Sequence, residues 1–599
     1  MTTSTTNAEE QAESLPDFKP ADFDLLDPPD CDMIMKGGVT SGIVYPYAIL
    51  QIATKYRLRS IGGTSAGAIA AAFAAAAEYG RQNGRPDSFV VLKTYCDELP
   101  DRLLSLFQPA TELKPAADIA KTAISAGGRR QLLRRSAWHG LPFAALGAAL
   151  LGLPAALVGD SVYSIGLLGI VGGVAGGLLG AARWAWGTVG RPLRNALRDL
   201  PSHGYGICSG LTQEAGLPGL TDWMHGALQH IAFGDPNHPE PLCFGHLIGP
   251  DPERPIIDLK VVTTNLSMRR PHTLPRLGAP AGFMKPEWDR LFPRAVMDHL
   301  VSGENRRWRR YAGAWRFPAQ DRLPVLVAVR MSLSFPLLFS AVPLRMEDME
   351  LPSIVKSLGG KPYKRIRTVH FSDGGISSNF PIHMFDGILP SRPTFAFSLE
   401  ELLWDTGEVT SRVALPTSAG QAMGVQIKEI TRLSEFAWQI LSSAKDWQDQ
   451  MLSEITGQRE RIVRIFLSPH EGGLNLGMSP KVVRHLMSWG YEAGRRFTDG
   501  GFDFDEHRWR RLLVLYKHLD ENLGALERIW SGGYGAWYQD YHPMKPKSYR
   551  ALTKGNRKRI AETMDALSQA HRDLSKLAGP LLSKRLPKKA GTFRVAPKF

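Results

Sequence analysis

The sequence predicts an α/β fold with a central sheet covered on both faces. Short β-rich runs alternate with helical patterns, notably "PIIDLKVVTTNL" from Pro255, "PVLVAVRM" from Pro324, "RTVHFS" from Arg367, "TFAFSL" from Thr394 and "RIVRIFL" from Arg461. Alternation of this kind buries a sheet between helical layers. A strand-like stretch, Arg57 to Ile61, also runs straight into an alanine-rich helix, "IGGTSAGAIAAAFAAAAEYG", with one serine at the junction. Finally, glycine pairs follow strand-like runs at "CDMIMKGG" and "VHFSDGG", at the carboxyl edge where open α/β sheets collect their ligands.

Residues 1–29 form a polar, acidic lead that is expected to be disordered. A cleaved secretory signal is not expected, because no basic start precedes an apolar run. Residues 137–182 carry two apolar runs, "AWHGLPFAALGAALLGLPAALVG" and "VYSIGLLGIVGGVAGGLLGAA". Each run has the length that crosses a bilayer, about 20 residues. Arginines flank the pair on both sides, which predicts an integral membrane hairpin with the catalytic part on the cytoplasmic side. Residues 401–582 read as mainly helical, with long patterns at Glu506–Trp530 and Arg557–Leu582, and 583–599 form a basic tail.

Composition narrows the partners. The 72 Lys and Arg outnumber the 58 Asp and Glu to give a net charge of +14, which favours anionic partners, either a phospholipid surface or nucleic acid. No nucleic-acid-binding motif accompanies the charge, so nucleic acid is not expected. The "RRWRRYAGAWRF" cluster, Arg306 to Phe317, suits a lipid headgroup region and equally a protein surface with packed aromatic bodies. Cys31, Cys96, Cys208 and Cys243 are scattered without metal-like spacing, so neither a metal site nor a disulfide framework is expected.

The chemistry concentrates at three glycine-marked turns. Gly63-Thr64-Ser65-Ala66-Gly67 spells GxSxG, the pattern of a nucleophile elbow, in which a tight strand-to-helix turn exposes a serine oxygen. A serine hydroxyl needs a base to take its proton and donors to hold the oxyanion that forms. Gly37 and Gly38 lie where backbone N–H groups can converge on an oxygen, and Asp373, followed by Gly374 and Gly375, puts a carboxylate at a strand end. Taken singly, each pair also has the composition of an ordinary turn.

In this order, glycine loop, GxSxG, then a distant Asp-Gly-Gly followed by Asn379 and Pro381, the chain resembles the patatin-like phospholipases. "DLKVVTTNLSMRRPHTLP" from Asp258 and "RMSLSFPLLFSAVPL" from Arg330 resemble the longer bacterial members, and the latter resembles the family's helix before the aspartate strand. The resemblance covers residues of about 30 to 400 and, more loosely, "FLSPHEGGLNLGMSP" from Phe466. It implies a three-layer α/β/α sandwich over a catalytic domain at 30–400, in which the 308 positions between Ser65 and Asp373 exceed a compact core and residues 100–250 are an insertion with the apolar helical hairpin, followed by a helical C-terminal region. It also implies a Ser65–Asp373 dyad without histidine or cofactor, an oxyanion hole at Gly37, Gly38 and Val39, and release of fatty acid from membrane phospholipids through an acyl-serine. The family's glycine loop reads GGGxR/KG, whereas Lys36-Gly37-Gly38-Val39-Thr40-Ser41-Gly42 has one glycine fewer and lacks the later basic residue.

His370 lies three residues before Asp373, and alternation along a strand points the two to opposite faces, so a structural role is expected for it. A histidine-dependent α/β-hydrolase would require a late histidine, with His470, His485, His507 and His542 available. A non-enzymatic membrane scaffold is the remaining alternative. The leucine-rich helix of the C-terminal region, with Leu512, Leu513, Leu515, Leu519 and Leu523, is expected to pack one face on a core, and the region offers a surface for a protein partner or a second copy.

Overall fold

The computed structural model of the chain describes residues 15–38, 40–124, 128–157, 162–303, 307–402, 411–418, 421, 427–468, 471–472, 475, 477–541 and 553–583. Its strands, in chain order, are β1 (Asp30–Met35), β2 (Arg57–Thr64), β3 (Gly206–Cys208), β4 (Asp258–Asn265), β5 (Arg270–Leu274), β6 (Ala281–Met284), β7 (Ala314–Arg316), β8 (Leu337–Phe339), β9 (Val342–Glu347), β10 (Ile366–Ser372), β11 (Thr394–Glu401), β12 (Val413–Ala414) and β13 (Ile462–Leu467). Eleven of them form one mixed sheet in the order β12-β13-β11-β1-β2-β4-β10-β9-β6-β7, with β5 attached to β4. A small separate sheet pairs β3 with β8.

The central strands β13, β11, β1, β2 and β4 run parallel. Both faces of this parallel part are covered, as such strands require. Alternation along each strand divides the core into two layers. Met33 and Met35 of β1 and Phe395 and Phe397 of β11 join the large cluster on one face. Ile34 and Ala396 join Phe380 and Ile382 on the other. Helix α1 (Tyr45–Ala53) packs against the helix Pro480–Thr498, and both enter the large cluster with helix α2 (Ala66–Gln82). The alanines of α2 let it lie closely between β2 and the helix Leu220–Phe233, and Ala68, Ala71, Ala72, Ala74 and Ala75 are wholly buried. This is a mixed α/β architecture, consistent with a three-layer arrangement.

The apolar hairpin and the integral membrane localisation are not supported. Among the described residues no helix is long and apolar enough to cross a membrane. Residues of the two apolar runs belong instead to the helices Gly128–Leu157 and Val162–Ala185, which pack along each other and extend beyond those runs, the first at its start and the second at its end. The first begins with Arg129, Arg130, Arg134 and Arg135, and both owe much of their apolar appearance to Gly and Ala. Such side chains remove little apolar area from water, so the runs lack the transfer energy of a leucine-rich span.

Two further local readings are corrected, and a third, left open between a lipid headgroup region and a protein surface, is met by packed aromatic bodies. "PVLVAVRM" is not a strand but the helix Val325–Ser332, in which every residue is buried; a short, wholly buried apolar run carries no period that separates the two. In the helix Phe504–Ile529, Leu512 and Leu519 are exposed, while His507, Arg511 and Val514 face inward. Arg511 donates to the Gly387 carbonyl at 2.7 Å, so a guanidinium takes the place expected for leucines. In the arginine–tryptophan cluster, Trp308 is buried, Arg307 lies 4.1 Å from the Trp315 ring centre, and Arg310 pairs with Glu347. The aromatic bodies thus pack onto the β6–β7 end of the sheet.

The contact between α1 and the helix Pro480–Thr498 is close at Gly490, where any Cβ would overlap the Val44 carbonyl oxygen. Gly490→Ala gains about 1 kcal/mol in helix propensity, but forcing the helices apart costs about 1–3 kcal/mol. The expected net result is a lower urea midpoint. A midpoint at or above that of the wild type would show that the helices separate at little cost.

Candidate active site

The register of β4 brings two distant segments together. β5 pairs along Val261–Asn265 and occupies one edge of β4. β2 pairs along Asp258–Val262, ending with Thr64 opposite Val262, and β10 pairs only at Thr264 and Asn265, ending with Ser372 opposite Thr264. With one edge filled by β5, both must use the other, and they run toward each other along it. They meet beside Thr263. Ser65 is the first residue past the end of β2, and Asp373 the first past the end of β10.

Ser65 sits at φ 54° and ψ −127°, in the left-handed half of the map that non-glycine residues avoid. Strain of about 1–3 kcal/mol is held there by the surroundings. The flanking glycines are required by close packing of the turn. A Cβ on Gly67 would lie 2.6 Å from the Met35 carbonyl oxygen, and one on Gly63 would overlap the Gly67 carbonyl. Ser65 is buried, its N–H donates to Ser332 Oγ at 3.0 Å, and its hydroxyl donates to the Gly38 carbonyl at 3.2 Å. Ser332 Oγ also lies 3.1 Å from where a Cβ on Gly374 would sit, so one hydroxyl touches the serine turn and the aspartate turn.

Asp373 is buried and caps the short 3-10 turn Gly374–Ile376, its Oδ1 accepting the Gly375 N–H at 2.7 Å. Its backbone is held on both sides, the N–H donating to the Ser334 carbonyl at 3.0 Å and the carbonyl accepting the Thr264 hydroxyl at 2.8 Å. His370 is carried off elsewhere: its ring meets Tyr205 edge-on at 5.6 Å, and burial followed by the Arg345 charge holds its pKa below the usual value.

The glycine loop follows β1. The Gly37 N–H donates to the Asn379 carbonyl at 2.7 Å, and the same carbonyl accepts the Thr64 hydroxyl at 3.0 Å. Gly37 therefore has its donor engaged. The Gly38 carbonyl accepts from Ala66 N and Ser65 Oγ, while its N–H has no partner among the described residues. Val39 lies outside the described residues. Lys36 donates to the Leu399 carbonyl at 3.0 Å and pairs with Glu400 at 3.3 Å. Burial would raise the Glu400 carboxyl, but Lys36, Ser398 and Arg464 together hold it below its ordinary range.

Of the late histidines, His470 and His542 lie outside the described residues. His507 is buried against Phe502 and Phe504, and its pKa is pushed down to about 3 by burial and by Arg461, Arg511 and Arg510. Among the described residues the Ser65 hydroxyl meets the Gly38 carbonyl and no histidine.

Two contributors escaped the sequence reading. Ser332 is one; its only sequence signal is its place in the mostly apolar "VAVRMSLS", beside Arg330 and Ser334. The other is the pair Asp446 and Asp449 on the helix Leu433–Ser453. Asp449 Oδ2 accepts Asn379 N at 2.6 Å and Phe380 N at 2.8 Å, and Asp446 Oδ1 accepts Asn379 Nδ2 at 3.3 Å. Their spacing of three residues puts both on one helix face and was available as a signal in "AKDWQDQ".

Fold and site together define an α/β protein that carries a buried serine on a strained strand-to-helix turn. The chain is 35% identical to the RpoH suppressor of Rhizobium meliloti (strain 1021) over 656 residues, spanning 95% of this chain and 99% of that protein, and it belongs to the same family. No family model matches the sequence. Among solved structures, VipD from Legionella pneumophila aligns over 94% of this chain and 89% of its own at 14% identity, with a TM-score of 0.26, too low to define a shared fold.

Burial pushes the Asp449 carboxyl up from 3.8 to about 6, against the lowering effect of the Phe380 and Asn379 N–H groups and of Lys36, with Asp446 adding to the rise. An acid whose folded pKa is raised favours the fold most below its unfolded pKa, and that contribution is lost as pH rises through the folded value. Wild type is therefore expected to lose stability relative to Asp449→Asn between pH 4 and pH 7.5. Urea unfolding of both proteins across that range checks this, and a constant difference would contradict it.

Proposed function

We propose that the protein is a serine acyl hydrolase acting on lipid esters, with Ser65 as nucleophile and Asp373 as its base. The observation that carries this reading is the strained Ser65 turn, whose next residue, Ala66, lines an apolar cavity of about 80 Å³. Thr40, Gly42 and Ala66, which flank the serine turn, line one part of it; Ile69, Ala70 and Phe73 of α2 line another. Phe107, Trp223 and Phe339 close the far side. A hydrocarbon chain gains about 0.8 kcal/mol for each CH₂ it buries in such surroundings, so the cavity favours an acyl group whose ester carbonyl then rests at Ser65.

On this reading the reaction passes through an acyl-serine. The Ser65 hydroxyl turns from the Gly38 carbonyl to the Asp373 carboxylate, which takes its proton as the oxygen attacks the ester carbonyl. The Gly38 N–H and the positive end of α2 stabilise the developing oxyanion. Collapse of the tetrahedral intermediate expels the alcohol, protonated by Asp373, and leaves an acyl-serine. A water that gives its proton to the same carboxylate then releases the fatty acid. The patatin-like order of motifs supports the dyad, and the net charge of +14 supports an anionic lipid such as a phospholipid.

Purified protein is expected to react with a fluorophosphonate probe at Ser65 and to release fatty acid from phospholipid–detergent micelles. Ser65→Ala and Asp373→Asn should lower that release by about 10³-fold or more with unchanged unfolding midpoints. Unchanged lipolysis in either variant removes the dyad. Filling the cavity with Ala70→Phe should depress turnover of long-chain p-nitrophenyl esters while sparing the acetyl ester. Equal loss on both would place the acyl chain elsewhere.

A further inference from the structure

The helix Leu433–Ser453 lies beyond the last motif of the catalytic pattern, yet one of its carboxylates is tied to all three glycine-marked turns. Asp449 is buried, and a single oxygen of it accepts two consecutive backbone N–H groups, those of Asn379 and Phe380, at 2.6 and 2.8 Å. The carbonyl of that same Asn379 accepts the Gly37 N–H at 2.7 Å and the Thr64 hydroxyl at 3.0 Å. Thr64 immediately precedes Ser65, Gly37 immediately precedes Gly38, and Asn379 lies in the segment that starts at Asp373.

We infer that Asp449 is a positioning residue, whose carboxylate fixes the Asn379 peptide and through it holds the glycine loop and the serine turn in register with the aspartate turn. The inference rests on the acyl-hydrolase reading for its catalytic consequence, but the relay itself is a matter of hydrogen bonds. A peptide with both neighbouring N–H groups clamped has little freedom to rotate, and its carbonyl direction is then set. Two donors bond along that direction, the Gly37 N–H in the loop after β1 and the Thr64 hydroxyl at the end of β2. The second carboxylate, Asp446, accepts from the Asn379 side-chain amide at 3.3 Å. Asp449 is thus the member that governs the backbone.

The relay is separable from simple stabilisation. Asp449→Ala removes the acceptor, whereas Asp449→Asn keeps an oxygen at the same reach. In full-length protein, hydrogen exchange followed by mass spectrometry should show the peptide containing Gly37 exchanging about tenfold faster in Asp449→Ala and near the wild-type rate in Asp449→Asn. If wild type labels at Ser65, the labelling rate and ester kcat should fall about tenfold in Asp449→Ala with KM unchanged, and return in Asp449→Asn. Should the alanine variant fail to fold, Asp449→Ser, whose shorter side chain cannot span the same gap, takes its place. Unaltered exchange at Gly37 overturns the relay whether or not the protein hydrolyses esters. Altered exchange with unaltered kcat in a labelling-competent enzyme overturns the positioning role. Absence of labelling in wild type counts against the hydrolase reading alone, and the exchange measurement then decides the relay.

Discussion

The edge of β4 that β2 and β10 share is the constraint from which the rest of the site follows. Two strands cannot occupy the same stretch of an edge, so each must stop where the other begins. The chain leaves both strands at Thr263, β2 by a sharp turn into α2 and β10 by a short 3-10 turn. Thr263 is wholly buried, and its hydroxyl is donated to the Met331 and Ser372 carbonyls, so the junction is held from the β4 side as well. A backbone turn this tight leaves no room for side chains at 63 and 67, which is why glycine stands at both.

Around this junction the polar groups are arranged to fix the backbone more than to face solvent. Ser332 bonds the nitrogen of the strained serine, Ser334 holds the nitrogen of the aspartate, and Thr264 holds its carbonyl. Ser334 is itself held by Arg330, a wholly buried guanidinium whose pKa is pushed down to about 10 by burial. Strain at Ser65 persists because several independent bonds would have to break together to relieve it.

Much of this was legible in the sequence. GxSxG marked the turn because sterics leave few alternatives to glycine there, and the β-branched and aromatic runs at 258–265, 366–372, 394–401 and 462–467 were long and bounded enough to identify as strands. What was not legible has physical causes. The membrane reading failed although the runs are long enough, because Gly and Ala make up much of both and bury little area. The Val325–Ser332 helix was hidden because burial on all sides erases its period. The paired aspartates of "AKDWQDQ" marked a polar helix face, but the loop that Asp449 meets lies some seventy positions earlier, and that contact is set by the fold alone. Gly37 was expected to offer its N–H to an oxyanion, and only the fold reveals that the Asn379 carbonyl has taken it.

The placement of β11 and β13 has a consequence for biosynthesis. β1 emerges from the ribosome early, with Cys31 to Met35 wholly apolar apart from Asp32, but its outer neighbour β11 begins at Thr394 and the strand beyond that at Ile462. At translation rates of about 5–20 residues per second, β1 waits roughly 20–70 s for that partner. During this interval a flat, oily edge is open to pairing with another nascent chain. That edge of β1 is closed only once Thr394–Glu401, two thirds of the way along the chain, has been made.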